Sequence, residues 1–273
     1  AIVIANDVPP HVRTRVLGAI RKYRHVFESA PDGCPLEVEN GTYQILLKDD
    51  AVPQRCPEPK WGPEGSPKRE FLTDWARKVL ANGTYETCRR PPEWVSRAHI
   101  AFKRVRGSAK EDNDFKVRVV GDYCRVNDQC RSRQSNLPDV THQVDKASGK
   151  SRYWFTDGDA QYKGWKLHEE SRDIAAIWTP IGAIRPVRMP FGLKNAGVIA
   201  QGAVREMREA DLSPTAKDHS INIADDFGGF CEEIASDGAT APDWDTLAES
   251  FIDHLAMADH RNMSFKASKT VFG

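Results

Sequence analysis

Apolar residues recur every three to four positions in several stretches of the chain, which is the spacing of one face of an α-helix. Helices are expected at 11–27, at 195–210 and at 243–260, and another begins at Ser66, with Ser66 as its N-cap and Pro67 in its first turn. In the helix at 243–260 the side chains that fall on the apolar face, and that we expect to be buried, are Leu247, Phe251, Leu255 and Ala258.

Alternating apolar positions predict strands between these helices. Strands are expected at 43–47, 99–105, 116–120 and 177–180. The aromatic run at 153–157 predicts a buried strand that ends on Asp157. Two apolar arms at 221–230 flank the adjacent acids Asp225 and Asp226, which predicts a hairpin with both carboxylates at its turn. The segment at 235–242 is rich in small residues and predicts a loop.

Two adjacent acids in a turn are usually a solvated turn, because Asp is a common turn former. A third carboxylate at the end of another strand favours a different interpretation, since several carboxylates at one sheet edge suit a divalent cation. Asp157 is the third acid, with Asp159 as the alternative. Asp157 is preferred because it directly ends the aromatic strand and stands five residues before Tyr162.

Several blocks of sequence, in the same order, resemble the reverse transcriptase domain of gypsy-type long-terminal-repeat retrotransposons and retroviruses. Met-Pro-Phe-Gly-Leu-Lys-Asn-Ala at 189–196 is similar to the family's MPFGLxNAP block, and Ala-Asp-Asp at 224–226 stands for its YxDD box. Further similarities are 118–127 to RxxVDYRxLN, 136–138 to YPLP, 157–162 to LDLxxGY and 265–273 to LNPEKCEFG. The blocks extend from about residue 20 to residue 273.

The resemblance implies an α+β fold with the fingers and palm of a right-hand polymerase. The palm would be a ferredoxin-like sheet with helices on one face, and the thumb would be absent. The implied division is a lead-in segment at 1–42, fingers at 43–131 and 165–195, and palm at 132–164 and 196–273.

The resemblance also implies an RNA-directed DNA polymerase that transfers dNTPs to a primer 3′-hydroxyl. The expected cofactor is two Mg²⁺ ions, with Mn²⁺ as an alternative, because two divalent ions can stabilise the attacking and leaving oxygens together. Asp157 and Asp225 are expected to bridge the ions, and Asp226 to support the primer-side ion. Lys269 is expected to stabilise or protonate the leaving pyrophosphate.

Other residues are implied to contact the nucleotide and the template. Arg118 and Lys103 are the expected triphosphate ligands, and Arg104, Arg106 and Lys110 compete with Lys103. Tyr162 would lie under the incoming sugar, where its ring would exclude a 2′-hydroxyl and favour deoxynucleotides. The remaining expected contacts are Phe191 and Gly192 in the nucleotide pocket, where a glycine permits close approach of backbone, and Gln201 along the template.

The chain departs from the family pattern at Ile223, Gly197, Ala200 and Cys124. Ile223 replaces the tyrosine that opens the YxDD box. These departures leave open a second hypothesis, a catalytically decayed remnant that binds nucleic acid without extending it. An RNA-dependent RNA polymerase shares the same acids, but Tyr162 argues against it, and an unrelated two-carboxylate nuclease is a more remote alternative.

Composition and charge bear on the expected partners and on the expected compartment. The chain has 273 residues with 39 basic and 39 acidic side chains, so its net charge gives no reason to expect a nucleic-acid partner. Within 97–133, however, ten basic residues stand against five acidic ones, which predicts a locally basic face for phosphates. The six cysteines form no Cys-x-x-Cys pair, so we expect a reduced compartment with neither disulfides nor a zinc site.

The expected partners are an RNA or DNA template with its primer and dNTPs. No run approaches ~18 consecutive apolar residues, so no membrane partner is expected. The sequence lacks an initial methionine and stops just after Lys269, which we interpret as an excised piece of a pol polyprotein without its thumb and RNase H regions. The resemblance implies an intracellular location, in cytoplasmic virus-like particles and also in the nucleus.

Overall fold

The computed structural model describes residues 1–28, 42–104, 115–133, 140–158, 164–236 and 239–273. The chain divides into two compact units. The first comprises Ala1–Gly41, Gln134–Gly164 and Gly197–Gly273, and the second comprises Thr42–Arg133 and Trp165–Ala196. The names palm and fingers for particular segments stay a prediction.

The helices and strands are given in chain order. The helices are α1 (Pro10–Lys22), α2 (Pro67–Ala81), α3 (Cys124–Gln129), α4 (Val140–Ala147), α5 (Glu169–Ile174), α6 (Ala196–Asp211), α7 (Pro214–Asp218) and α8 (Trp244–His260), with 3-10 turns at Arg24–Phe27 and Ala267–Lys269. The strands are β1 (Val3–Ile4), β2 (Thr42–Tyr43), β3 (Tyr85–Thr87), β4 (Ser96–Arg104), β5 (Phe115–Asp122), β6 (Arg152–Asp157), β7 (Lys166–Leu167), β8 (Ile177–Thr179), β9 (Gly182–Pro186), β10 (Ser220–Ile223), β11 (Asp226–Cys231), β12 (Glu233–Ser236), β13 (Ala239–Pro242) and β14 (Val271–Phe272).

The first unit is built on a sheet whose described strands lie in the order β1-β14-β6-β11-β10. Strand β6 alternates as expected for a sheet with one covered face: Trp154 and Thr156 are buried, whereas Phe155 is 49% exposed. Helix α8 contacts β6 and β11. It covers the buried face of the sheet, where Trp154 packs against Phe251 with ring centroids 5.5 Å apart. All four side chains expected to be buried on this helix are buried.

The second unit is built on a sheet whose described strands lie in the order β3-β9-β8-β4-β5, with α2 against β3 and β8. Strands β4 and β5 form a long antiparallel hairpin. On β9, Arg185 is only 3% exposed and its guanidinium lies 2.8 Å from Glu86, 2.7 Å from Glu169 and 2.9 Å from Asp173. Buried cations need such partners, and because Glu169 and Asp173 belong to α5, this ion-pair group connects that helix to the sheet.

Three local expectations are wrong. The first helix ends at Lys22 and continues as a 3-10 turn, because Val26 N bonds to Tyr23 O three residues back. Of the strand expected at 43–47, only Tyr43 lies in a strand, the two-residue β2. Ser66 is the N-cap residue of α2 and Pro67 lies in its first turn, as expected, although the Ser66 side chain makes no capping hydrogen bond. The loop expected at 235–242 contributes to the antiparallel strands β12 and β13, whose pairing the small side chains do not signal.

The state of the cysteines and the hydropathy of the helices are two further features of the described structure. Cys56, Cys88, Cys124, Cys130 and Cys231, the cysteines that lie in the described ranges, are all free thiols. Among the helices given above, none is long and apolar enough to cross a bilayer.

Candidate active site

Asp157 ends strand β6 with a side chain that is only 13% exposed. Lys266 donates a hydrogen bond to its Oδ1, and Lys269 donates to its Oδ2 at 2.5 Å. Burial by itself raises the pKa of Asp157, but the two ammonium groups outweigh that effect, so its pKa lies below the ordinary value. The carboxylate is therefore ionised at neutral pH and carries its own cationic partners.

Asp225 and Asp226 lie at the turn between β10 and β11. Asp226 is the cross-strand partner of Asp157, and directly opposed residues of antiparallel strands project from the same face of the sheet. Gly158 N donates to Asp225 O at 2.7 Å, so the turn is bonded to the residue that follows Asp157. The structure thus brings the three acids expected from the sequence together at one end of the neighbouring strands β6 and β11.

The charges of these acids act on one another. Burial raises the pKa of Asp226, and the charges of Asp225 and Asp157 raise it further, against the opposite effect of Lys269 and Lys266. Repulsion among like charges is the electrostatic condition that a bound cation relieves.

The donor chemistry at this edge fits a divalent cation, because carboxylate oxygens are the ligands that Mg²⁺ prefers. The arrangement is not a preformed metal site. Across the ranges that the structure describes, no group of three or more His, Cys, Asp or Glu side chains could hold a metal ion. Both oxygens of Asp157 are bonded to lysines, so a cation here would compete with two ammonium groups.

Gln201, on α6, is 7% exposed and bonds to the hairpin that carries the acids. Its Oε1 accepts from Ala224 N at 2.8 Å, and its Nε2 donates to Asn222 Oδ1 at 2.5 Å. Asn222 in turn donates to the carbonyl oxygens of Ala224 and Asp226, each at 3.1 Å. These bonds fix the backbone on both sides of Asp225. Contact of Gln201 with a template stays a prediction.

Sequence reasoning missed Lys266 and Asn222. Lys266 is 109 positions away from Asp157 along the chain, so no local pattern links them. For Asn222, the sequence does contain a signal. Ser220 and Asn222 are the buried alternate positions of β10, whereas Ile221 and Ile223 are only half-buried. A polar residue between two isoleucines of a strand therefore marked a side chain that needs hydrogen-bond partners.

In the second unit, Arg118 is exposed on β5 and its guanidinium lies 5.7 Å from the ring centroid of Phe191. Gly192 follows with φ 98°, and a Cβ there would approach Gly121 O at 3.4 Å. Glycine is favoured here because of the positive φ, which residues with a Cβ rarely adopt. The structure brings together these three residues expected in the nucleotide pocket.

Several residues expected at the site, or their side chains, lie outside the part of the chain that the structure describes. Lys103 lies on β4 opposite Lys116, but its side chain is outside the described part, as is that of Arg104. Asp159, Tyr162, Arg106 and Lys110 lie outside the described residues altogether. Their roles, like the choice between Asp157 and Asp159, stay predictions.

No protein-family model matches the chain, and no curated protein sequence matches it. Solved structures do match. The chain is similar to the protease-reverse transcriptase of prototype foamy virus, at a TM-score of 0.67 and 12% identity, covering 98% of this chain and 32% of the viral one. It is also similar to the foamy viral protease-reverse transcriptase in complex with an RNA/DNA hybrid, at a TM-score of 0.67 and 12% identity over 97% of this chain and 32% of the other.

A third similar structure is the foamy viral protease-reverse transcriptase dRH in complex with double-stranded DNA, at a TM-score of 0.67 and 11% identity, covering 97% of this chain and 41% of the viral one. The chain therefore spans a third to two fifths of the length of these viral proteins. At such low identity the likeness establishes the fold and nothing further. The expected α+β fold is confirmed: the protein has the fingers-and-palm fold of retroviral reverse transcriptases.

Proposed function

We propose that this chain is an RNA-directed DNA polymerase domain of the gypsy-type retrotransposon and retroviral kind, which extends a primer with dNTPs on an RNA or DNA template. The observation that carries the proposal is the pairing of Asp157 with Asp226 across β6 and β11, beside Asp225 in the turn. By the same resemblance, it would belong to a longer pol polyprotein of intracellular virus-like particles.

Two divalent cations, Mg²⁺ or Mn²⁺, would supply charge stabilisation for the attacking 3′-oxygen and the leaving pyrophosphate. Asp157, Asp225 and Asp226 are the residues that would hold them. Since Lys266 and Lys269 are hydrogen-bonded to Asp157, cation binding would compete with their ammonium groups. We therefore expect the polymerase to require millimolar rather than micromolar free metal.

Lys269 would neutralise or protonate the pyrophosphate. The hydrogen bond to Asp157 raises the pKa of Lys269, so the ammonium stays charged at neutral pH, which favours the neutralising role because a higher pKa makes it a weaker acid. Arg118 would bind the triphosphate, with Phe191 and Gly192 beside it and Lys103 and Tyr162 as further ligands. Gln201 would act by holding the turn that carries Asp225, in addition to any template contact.

The alternative function is a decayed domain that binds nucleic acid without extending it. One observation favours it: each oxygen of the Asp157 carboxylate accepts a hydrogen bond from a lysine, and no ready metal cluster is found in the described ranges. Lys266 is central to this alternative, because its hydrogen bond occupies an oxygen that a metal would need.

Primer extension separates the two functions. The full chain is incubated with a poly(rA)·oligo(dT) hybrid, dTTP and Mg²⁺ or Mn²⁺. The Asp225→Asn variant is assayed in parallel. We expect extension by the wild type and a loss of at least ~100-fold in the variant, because a ligand of both ions is removed while the turn keeps its backbone bonds.

Hybrid binding, measured by fluorescence anisotropy, is the control for both proteins. Wild-type binding without extension at any metal concentration up to about 20 mM would support the decayed domain and contradict the polymerase. A Lys266→Gln variant extends the experiment, because releasing one oxygen of Asp157 should lower the metal concentration needed for extension.

A further inference from the structure

A cavity of about 340 Å³ opens in the first unit among α4, α6, α7 and β10. It is distinct from the three acids, none of which lines it. Its wall includes four cationic side chains, which we call the basic cavity residues: Lys146, Arg205, Arg208 and Lys217. Pockets that take small molecules usually measure ~300–1,000 Å³, so this cavity has room for a small ligand.

The charge of the wall is strongly unbalanced. Glu209 is the carboxylate of the lining, and it lies 3.7 Å from Lys217. Lys146, Arg205 and Arg208 form no salt bridge with any residue in the described ranges. Asp218 acts on Lys146 and Glu209 on Arg208 through their charges, so the protein neutralises the positive charge of the cavity only in part, in a chain whose overall net charge is zero.

Arg208 and Lys146 are half-buried, and Lys146 Nζ donates to Lys217 O at 3.0 Å. Arg208 Nη2 donates to the carbonyl and hydroxyl oxygens of Ser220 at 3.1 and 3.0 Å, while Nη1 is buried and finds no acceptor in the described part of the chain. Burial lowers the pKa of Arg208 to about 10, and burial also lowers the pKa of Lys146. A buried cation without an anion is costly, and a bound anion would offset that cost.

We propose that the basic cavity binds a phosphate group, with Arg205 and Lys146 as its ligands and Arg208, held by Ser220, as a further positive charge in the wall. Guanidinium and ammonium groups in one recess are the usual donors to phosphate oxygens. The phosphate could belong to a nucleic-acid strand or be free in solution. This function goes beyond the proposed polymerase reaction, since it uses no residue assigned to nucleotide transfer.

The test measures binding of two probes to the full chain by calorimetry, in buffer without divalent metal and at constant ionic strength. The probes are inorganic phosphate and a single-stranded dT10 oligonucleotide. The variants are Arg205→Gln, which alters an exposed side chain, and Lys146→Gln. Arg21→Gln is the matched control, because Arg21 is an exposed arginine on a helix of the same unit and does not line the cavity. Omitting metal keeps the result independent of polymerase activity.

We expect both cavity variants to weaken binding of at least one probe about 10-fold, while Arg21→Gln weakens it less than 2-fold. Loss of inorganic phosphate binding identifies a free phosphate as the ligand, and loss confined to dT10 identifies a strand phosphate. The proposal is overturned if neither cavity variant weakens either probe more than Arg21→Gln does. Thermal melts of Arg205→Gln verify that the fold is retained.

Discussion

Ala224, directly before Asp225, has φ 54°, in the left-handed region that L-residues other than Asn and Asp rarely adopt. That conformation costs roughly 1–2 kcal/mol for a residue with a Cβ. The cost is offset by hydrogen bonds, since Ala224 N donates to Gln201 and Ala224 O accepts from Asn222. A strained residue thus sets the direction in which the two acids leave the turn.

Replacing Ala224 tests this account without disturbing the core, because the side chain is exposed. Ala224→Val should lower the free energy of unfolding by about 2 kcal/mol, because a β-branched residue strongly disfavours positive φ. Ala224→Gly, the matched control, should change it by less than about 1 kcal/mol, since relief of strain is balanced by greater freedom of the unfolded chain. Urea denaturation measures both. Equal stability of the two variants would contradict the account.

At the same scale, the sequence was sufficient to predict the strand-end position of Asp157 and the hairpin position of Asp225 and Asp226, because each follows an apolar run of strand period. It was insufficient for Lys266 and Gln201. Their contacts with the acids and the turn depend on how distant segments fold back on the sheet, and a lysine or glutamine has no local signal for a distant partner.

Helix α8 places a buried histidine, His254, against strand β6. His254 is 1% exposed, and its Nε2 lies 2.9 Å from Thr156 Oγ1, next to Asp157 in sequence. Its ring is 4.7 Å from the rings of Trp154 and Phe265. Burial lowers the pKa of His254 to about 3, with a smaller contribution from the charge of Arg208. The folded protein therefore holds a neutral imidazole.

This histidine should make the protein sensitive to acid. Its pKa is about 3 when folded and 6.5 when exposed, so between these values the unfolded chain binds a proton that the folded chain does not. Lowering the pH through this window favours unfolding, by up to about 1.4 kcal/mol per pH unit. Above pH 6.5 the contribution to stability is constant.

Urea denaturation of the wild type and of His254→Phe between pH 7.5 and 5 measures the effect. The variant should have a smaller slope of unfolding free energy against pH. His11→Phe replaces an exposed histidine of α1 and should keep the wild-type slope. Identical slopes for the wild type and His254→Phe would rule out a buried neutral His254 as a source of acid sensitivity.

Helices and strands with a strong periodicity of apolar residues could be predicted from the sequence, and those without it could not. The period of α8 was sufficient to identify its buried face, including Leu247 and Phe251. Strands β12 and β13 were missed, because their pairing across 233–242 comes from backbone bonds that small residues do not reveal. Helix α4 was also missed: Val140 and Val144 are 54% and 51% exposed, so the helix lacks a buried apolar stripe.

At the scale of the whole molecule, equal numbers of acidic and basic residues mean that long-range attraction to nucleic acid is weak. Under the proposed function, nucleic acid must therefore be bound by local groups of cations that contact phosphates and release counterions. Such binding weakens steeply as salt is added, even when the net charge of the protein is zero.

We therefore expect the affinity for a primer–template hybrid to fall at least ~10-fold between 50 and 200 mM KCl, which corresponds to about two phosphate contacts. Fluorescence anisotropy at several salt concentrations gives the slope. A loss of less than 2-fold would mean that phosphate contacts are not the basis of binding. The same titration with Arg118→Gln should give a shallower slope if that arginine contacts phosphate.

The two units are interleaved along the chain, which passes from one to the other four times. The first unit includes both the earliest and the latest residues of this sequence. A single recombination event between two related genes, wherever it falls, therefore gives a first unit of mixed parentage. Such hybrids keep a sound core only when the parents have compatible packing on both sides of the junction. Recombination at any point within this chain therefore mixes the two parents in the first unit, even though the chain divides into two compact units.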